Sequence, residues 1–280
     1  MKKVALGALL VLIIGIIGLF TVSGGAFSFG NNVEINEREI IPSKNIKEMK
    51  VNVDVGEIQI KESKNDDITI HFHGNVPKKV KEQLTFKVEE HSTSVEVVVS
   101  QSNKFFMQIP FINSDISSER TLDVSLPKNL LDKLEVKADV GDIHIDHINS
   151  PGLTAHSDVG DIYVNQFKGV GTFVSNVGDI ELEKISGKIN SQTDTGEIDI
   201  SLEEMTDDIE LSSDVGDITV KFVNEPENIV FDLSSDIGDV SINGFKGFEN
   251  RTTGSIITQL GSGGPLLEVK TDLGEITVGE

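Results

Sequence analysis

The 280-residue sequence contains no cysteine and no tryptophan, and Tyr163 is its one tyrosine. Without cysteine, neither a disulfide framework nor a thiolate metal site can form, so stability must come from packing and hydrogen bonds. Basic residues are scarce in the second half, where Arg251 is the one arginine after residue 132. Residues 133–280 carry 9 basic and 29 acidic side chains, whereas residues 1–132 carry 15 and 17. A surface this acidic argues against binding nucleic acid or anionic lipid head groups.

A short repeat, Asp-Val-Gly-Asp-Ile, is present at residues 139–143 and again at 158–162. Weaker copies follow, with a degenerate copy at 252–256. The central glycines are 16 to 22 residues apart, at Gly141, Gly160, Gly178, Gly196, Gly216, Gly238, Gly254 and Gly274. A near-constant short period predicts a stacked repeat protein.

The apolar residues around each glycine alternate with a period of two, which predicts two half-buried strands joined by a corner at the glycine. Around Gly216 these apolar columns hold Ile209, Leu211, Val215, Ile218 and Val220. Val140 and Leu273 occupy the column of Val215 in other copies. A second corner is predicted at residues 167–169, 185–187 and 245–247, where an apolar residue precedes a turn glycine. The pattern therefore predicts an all-β fold, a β-solenoid of about eight coils of 18–20 residues over 133–280.

The amino terminus reads as a membrane anchor. Three residues, Met1-Lys2-Lys3, precede an uncharged stretch over 4–23 that is dense in Leu, Ile, Val and Gly. Because a bilayer-spanning helix needs about 20 apolar residues, residues 1–24 are predicted to form one transmembrane helix. A cleaved signal is the alternative. The lysines precede the span, so the rest of the chain is expected outside the cytoplasm, beginning with a stalk over 25–45.

Residues 46–132 are predicted to form a β-rich head. The head includes a first coil, since residues 49–60 nearly repeat residues 134–145. Its other strand candidates are residues 68–72, 84–88, 95–99 and 122–126, with a turn or short helix at 77–83. Either an excursion from the first coil or a few wider coils fits this pattern. The apolar segment Phe105–Ile112 could plug the end of the core, or be an exposed loop that contacts lipid or a partner protein.

Acidic residues recur on both sides of the glycines, in two columns. The first column is Asp139, Asp158, Asn176, Asp194, Asp214, Asp236 and Asp272; the second is Asp142, Asp161, Asp179, Glu197, Asp217, Asp239 and Glu275. Aspartate and asparagine cap tight turns by accepting hydrogen bonds from nearby backbone amides, and we expect this structural role. Stacked carboxylates are also ligands that calcium prefers, so the weak metal candidates are Asp142, Asp161, Asp179, Asp217 and Asp239. Neither a helix-loop-helix calcium loop nor a glycine-rich nonapeptide repeat is present.

An enzymatic site is not indicated, and no catalytic or cofactor-binding residue is assigned. The acids repeat in every coil, whereas a glycan hydrolase or lyase needs a distinctive acid or base in a groove. No nucleophile motif, phosphate loop or zinc motif occurs in the sequence. His71 and His73 share one face of a strand, and two histidines alone are a weak metal signal.

The amino-terminal span, the β-rich head and the repeated coils of 46–280 resemble a bacterial "putative adhesin" family of unknown function that includes the LiaG-type membrane proteins. The resemblance implies a membrane-anchored, extracytoplasmic protein, linked in some members to envelope-stress operons, and it brings no catalytic residues. We therefore expect a non-enzymatic adhesion or interaction module whose partner is an envelope protein or a wall polymer. The alternative is a hydrolase or lyase acting on a cell-wall polysaccharide.

Overall fold

The computed structural model describes residues 32–102, 119–128, 130–245 and 248–279. These residues contain 21 β-strands and one short helix, which confirms the all-β prediction. None of their helices is long and apolar enough to cross a membrane. The predicted span over 1–24 and the apolar segment Phe105–Ile112 lie outside the described residues.

The head contains seven strands and the helix: β1 Asn32–Pro42, β2 Glu48–Val55, β3 Glu57–Ser63, β4 Asp67–Pro77, α1 Lys78–Lys81, β5 Leu84–Glu90, β6 Ser94–Gln101 and β7 Glu119–Pro127. The next five coils contribute β8 Lys133–Val140, β9 Ile143–Asp146, β10 Gly152–Val159, β11 Ile162–Asn165, β12 Val170–Val177, β13 Ile180–Ile185, β14 Ile189–Thr195, β15 Ile198–Leu202, β16 Ile209–Val215 and β17 Ile218–Phe222. The last strands are β18 Ile229–Phe245, β19 Phe248–Leu260, β20 Leu266–Leu273 and β21 Ile276–Gly279.

The strands stack into two faces that share a narrow core. The first face follows the order β5, β6, β2, β8, β10, β12, β14, β16, β20, β18. The second face follows the order β1, β4, β7, β3, β9, β11, β13, β15, β17, β21, β18. Strands β6 to β18 on the first face are all parallel, so the described residues form nine levels that rise about 38 Å at about 4.8 Å per level.

Large and small residues complement one another inside the core. Phe173 is fully buried, and its register partner on the neighbouring level is the small Ala155. A Cβ added at Gly171 would lie 2.7 Å from the Phe173 ring. The core is therefore filled by alternation of sizes between levels, as close packing requires.

The order of the levels differs from the order of the sequence at the carboxyl end. Leu273 of β20 pairs with Val215 on one side and with Ile237 of β18 on the other, so the last coil lies between the coil of Gly216 and β18. The prediction of a degenerate coil at 252–256 is wrong, because β19 runs antiparallel to β18 along its outer edge. The hairpin of β18 and β19 ends the stack. Strands β20 and β21, which follow it in sequence, occupy the level between β18 and the coil of Gly216.

The head both leaves the stack and returns to it. Strands β4 and β5 are antiparallel excursions, while β6 and β7 pair in parallel with β2 and β3 as an additional level. The predicted stalk over 25–45 is wrong for residues 32–42, which form β1 and pair antiparallel with β4. Ile35 and Ile41 of this strand are buried, so β1 contributes side chains to the core.

The prediction that the column of Val215 belongs to the buried face of the strands is wrong. Val140, Val215 and Leu273 are 38%, 45% and 50% exposed. In the coils from residue 133 onward the inward alternation ends two residues earlier, at a buried serine, threonine or alanine. The backbone turns at the glycine that follows, and the residue before that glycine faces solvent.

Candidate interaction surface

The glycine corner is defined here as residues 139–142, 158–161, 176–179, 194–197, 214–217, 236–239 and 272–275. At this corner the chains of neighbouring levels are almost in contact. A Cβ added at Gly216 would lie 1.9 Å from the carbonyl oxygen of Gly196, and one added at Gly178 would lie 2.3 Å from that of Gly160. Both glycines also have a positive φ, 152° and 148°, which L side chains rarely adopt. Glycine is therefore required at this corner for two separate reasons.

A column of buried hydroxyl groups lies three residues before the corner glycines. Each hydroxyl donates to the carbonyl oxygen of a glycine on the neighbouring level, over 2.8 to 3.2 Å, and the donors are Ser157, Ser175, Thr193, Ser213, Thr271 and Ser235. Because these side chains are buried, each hydrogen bond satisfies two polar groups that water does not reach. The column joins successive levels at the point where the backbones are closest.

The second acid column caps the next level. The carboxylate of Asp142 accepts the backbone N–H of Asp161 at 2.9 Å, and that of Asp161 accepts the N–H of Asp179 at 2.8 Å. Asp179 and Asp217 do the same for Glu197 and Glu275, at 2.8 and 2.7 Å. The aspartates of this column that accept these bonds are exposed, so their charge remains in solvent. The aspartates therefore cap backbone amides, but each amide belongs to the next level, 18 to 58 residues away in sequence, and not to the aspartate's own turn as the sequence predicts.

An exposed aliphatic column lies immediately before the glycines. Its members pair in register from level to level, in the order Val140, Val159, Val177, Thr195, Val215, Leu273 and Ile237. The six aliphatic side chains are between 38% and 68% exposed. Seven positions at about 4.8 Å give a strip about 29 Å long that is aliphatic except at Thr195. Acidic columns flank the strip on both sides.

The first acid column contacts basic side chains at one end of the corner. Lys137 Nζ lies 3.4 Å from Asp139 and 3.8 Å from Asp158, and His156 Nε2 lies 2.7 Å from Asp158 Oδ1. Further along the column the side chains of Asp194, Asp214, Asp272 and Asp236 are exposed. The corner thus presents apolar side chains between two rows of negative charge.

The structure gathers potential metal ligands elsewhere. Among the described residues, two groups of three His, Asp or Glu side chains bring their ligand atoms within 4.8 Å of one another, and neither contains a weak candidate from the second acid column. One group is His71, His73 and Asp123 on β4 and β7. The other is Glu89, His91 and Glu96 on the hairpin of β5 and β6.

The first of these groups lies on the outer surface of the second face. His73 Nε2 is 2.8 Å from Asp123 Oδ2, and His71 Nε2 is 2.8 Å from Asn36 Oδ1. The two imidazole rings stack with centroids 4.6 Å apart. Asp123 could not be associated with the histidines from sequence, because it is 50 residues away and comes opposite His71 only through the pairing of β4 and β7.

Tyr163 and its acidic neighbours occupy the middle of the second face. The Tyr163 hydroxyl donates to Glu183 Oε2 at 2.9 Å. Burial, that hydrogen bond and the charge of Glu183 raise the pKa of Tyr163 to about 12. Burial and the negative charges of Glu183 and Asp199 raise the pKa of Glu181. The phenol therefore remains neutral and acts as a hydrogen-bond donor.

The family assignment follows from two adjacent matches along the chain. Residues 46–176 and residues 172–279 each match the Toastrack DUF4097 family. The chain belongs to this family. It is a family of unknown function, as the repeat-based resemblance implied. The two Toastrack matches cover both the head from residue 46 and the carboxyl-terminal coils, including the whole glycine corner.

Solved structures similar to this Toastrack chain have low sequence identity to it. A "putative cell adhesion protein" from Clostridium sporogenes ATCC 15579 is 15% identical, with 88% of this chain and 99% of that chain covered and a TM-score of 0.36. A "putative adhesin" from Bacteroides fragilis NCTC 9343 is 14% identical, with 88% and 97% covered and a TM-score of 0.45. Another from Parabacteroides distasonis ATCC 8503 is 8% identical, with 89% and 98% covered and a TM-score of 0.44. No curated protein matches the chain.

The Toastrack match assigns no catalytic activity, since the family has no established function. The corner also offers the same acid at level after level, where a glycan-cleaving site needs one distinctive pair. The hydroxyl column and the exposed aliphatic column were both missed from sequence. The sequence did contain a signal for the hydroxyl column, because a serine or threonine lies three residues before six of the corner glycines.

Proposed function

We propose that the chain is a non-enzymatic interaction module of the bacterial cell envelope, whose glycine corner binds a basic amphipathic helix of another envelope protein. One observation carries this proposal: an aliphatic strip about 29 Å long is exposed between two columns of acidic side chains. A contiguous exposed apolar surface with a charged rim is typical of an interaction site. Family membership supports a binding role only in a general way, because the family has no established function.

A helix fits the corner better than an extended strand does. Side chains on one face of a strand repeat every 6 to 7 Å, while successive turns of a helix repeat every 5.4 Å, closer to the spacing of about 4.8 Å between levels. About five helical turns, or roughly 20 residues, match the length of the strip. Apolar side chains along one stripe of such a helix would contact the aliphatic column, and lysines on both flanks would face the acid columns.

The binding test uses a labelled peptide of about 20 residues, with leucine at i, i+3, i+4 and i+7 positions and lysine at the remaining positions. A scrambled peptide has the same charge without the apolar stripe, and a third peptide replaces each lysine by glutamate. We expect fluorescence anisotropy to show at least tenfold tighter binding of the amphipathic basic peptide than of either control. Equal affinity for the scrambled peptide would show simple charge attraction and contradict the proposal.

The proposal also includes anchoring by residues 1–24 and an extracytoplasmic location for the rest of the chain. The anchoring and the location are supported by the apolar stretch over 4–23, by the lysines before it and by the family resemblance. The same resemblance suggests the link to envelope stress. Protease added to intact protoplasts should digest residues from about 25 onward while the amino-terminal fragment remains in the membrane. Release of a soluble chain lacking only about the first 24 residues would indicate a cleaved signal instead.

A further inference from the structure

We propose that His71, His73 and Asp123 form a divalent metal site, with zinc as the ion that the donor set fits best. Two imidazoles and one carboxylate are a protein ligand set that zinc accepts, leaving a fourth position for water or another oxygen. The donor atoms already lie within 4.8 Å of one another. Zinc bonds of about 2.0 to 2.2 Å place tetrahedral ligands roughly 3.3 Å apart, so side-chain rotation alone could close the site.

The backbone fixes the relative positions of the three ligands. His71 and His73 are two residues apart on β4, so they share one face of the sheet. The antiparallel register of β4 and β7 places Asp123 directly opposite His71. The amide oxygen of Asn36, 2.8 Å from His71 Nε2, offers a fourth donor from β1. Arg38 is opposite His71 on β1, and its positive charge opposes the bound ion.

A metal ion here would join strands at the amino-terminal end of the stack. Strands β1 and β4 are antiparallel additions at the amino-terminal end, while Asp123 belongs to β7, which pairs with the parallel level of β3. Coordination would therefore fasten the excursion to the solenoid. Since only the folded chain assembles the three ligands, zinc should raise the unfolding temperature by mass action.

The test titrates Zn²⁺ and Co²⁺ into the full chain, purified in detergent and stripped of metal with a chelator. His71→Gln and His73→Gln preserve hydrogen-bonding capacity, so they are expected to fold. Each should weaken zinc binding at least tenfold by calorimetry and abolish the visible absorption of tetrahedrally bound Co²⁺.

His156→Gln is the matched control, because His156 also contacts an aspartate, at 2.7 Å, but belongs to no group of three potential metal ligands among the described residues. His91→Gln tests the second group, Glu89, His91 and Glu96. Both control variants should bind zinc as the parent does and keep its zinc-dependent rise in unfolding temperature. Parental zinc affinity in the His71 and His73 variants, or loss of binding in His91→Gln instead, would overturn the proposal.

Discussion

The two corners of each coil are built on different principles. At the glycine corner, most levels repeat the same columns of hydroxyl, acid, aliphatic residue and glycine. At the opposite corner, the links after β9, β11, β13 and β15 differ in length, and His147, Gln166 and Lys184 adopt positive φ. Close approach of neighbouring levels recurs along the whole glycine corner. At the opposite corner it is found at Gly169 and Gly187, where an added Cβ would lie 2.5 and 2.1 Å from the carbonyl oxygens of Ser150 and Gly169, while the length of the link varies.

The largest expected effect comes from filling the glycine corner. Gly216→Ala should reduce the free energy of unfolding by about 3 kcal/mol or more, because the added Cβ meets the Gly196 carbonyl at 1.9 Å and the φ of 152° is strained. Urea unfolding measures the loss. Gly254→Ala is the matched control, since Gly254 also has a positive φ, 94°, but no atom lies within 4 Å of its added Cβ. If both variants lose the same stability, close approach of the levels is not the cause.

The hydroxyl column provides the next largest effect. Thr193→Val keeps the shape of the side chain but removes its 3.0 Å hydrogen bond to the Gly178 carbonyl, so a loss of about 1 to 2 kcal/mol is expected. Ser191→Ala, two residues earlier on the same strand, is the control. Ser191 is also buried, but its hydroxyl has no hydrogen-bond partner among the described residues. Its removal should change the free energy of unfolding by less than about 0.5 kcal/mol.

In the second acid column, stability should depend on the oxygen that accepts the hydrogen bond and not on the negative charge. Asp161→Ala removes the oxygen that accepts the Asp179 N–H and should cost about 1 kcal/mol. Replacing Asp161 and Asp179 together by Asn keeps an acceptor oxygen and removes two of the excess negative charges that give the chain its net charge of −22. We expect this double variant to be at least as stable as the parent in thermal unfolding.

Salt provides a second measurement on the same variants. Repulsion between stacked carboxylates is screened over about 10 Å at 0.1 M salt, so sodium chloride should stabilise the parent more than the double Asn variant. Calcium at matched ionic strength should add stability beyond that of sodium only if the weak candidates bind it. A folded double Asn variant that lost a measurable turnover on an envelope polymer would contradict the non-enzymatic assignment.

The smallest effect concerns Glu181, away from both corners. Its raised pKa means that the folded chain binds the proton more tightly than the unfolded chain does. Glu181 therefore contributes stability below the ordinary glutamate pKa of about 4.3, and this contribution is lost as pH rises through the raised value. Glu181→Gln should be slightly more stable than the parent at neutral pH, and urea unfolding should show the difference shrinking in acid. A difference between the two proteins that does not change with pH would contradict this account.

Sequence alone predicts the regular part of the fold because its period and alternation reflect local geometry. It places the corner glycines correctly, since turn chemistry depends on neighbouring residues. It does not predict that the aspartates cap amides of the next level, because those amides are 18 to 58 residues away. It does not predict that Leu273 lies between Val215 and Ile237, because that order depends on how the β18 and β19 hairpin ends the stack. Nor does it bring Asp123 to His71 and His73, since nothing local links β4 to β7. The cluster of His71, His73 and Asp123 therefore forms only through the tertiary pairing of β4 with β7.

The most direct measurement compares the two corners in binding. One variant carries Val159→Ser, Val177→Ser and Val215→Ser at the glycine corner, and the other carries Val170→Ser and Val223→Ser, which are 55% and 58% exposed at the opposite corner. Anisotropy titrations with the basic amphipathic peptide should show at least a tenfold loss of affinity for the first variant and parental affinity for the second. Equal affinities in the two variants would contradict the assignment of the glycine corner as the interaction surface.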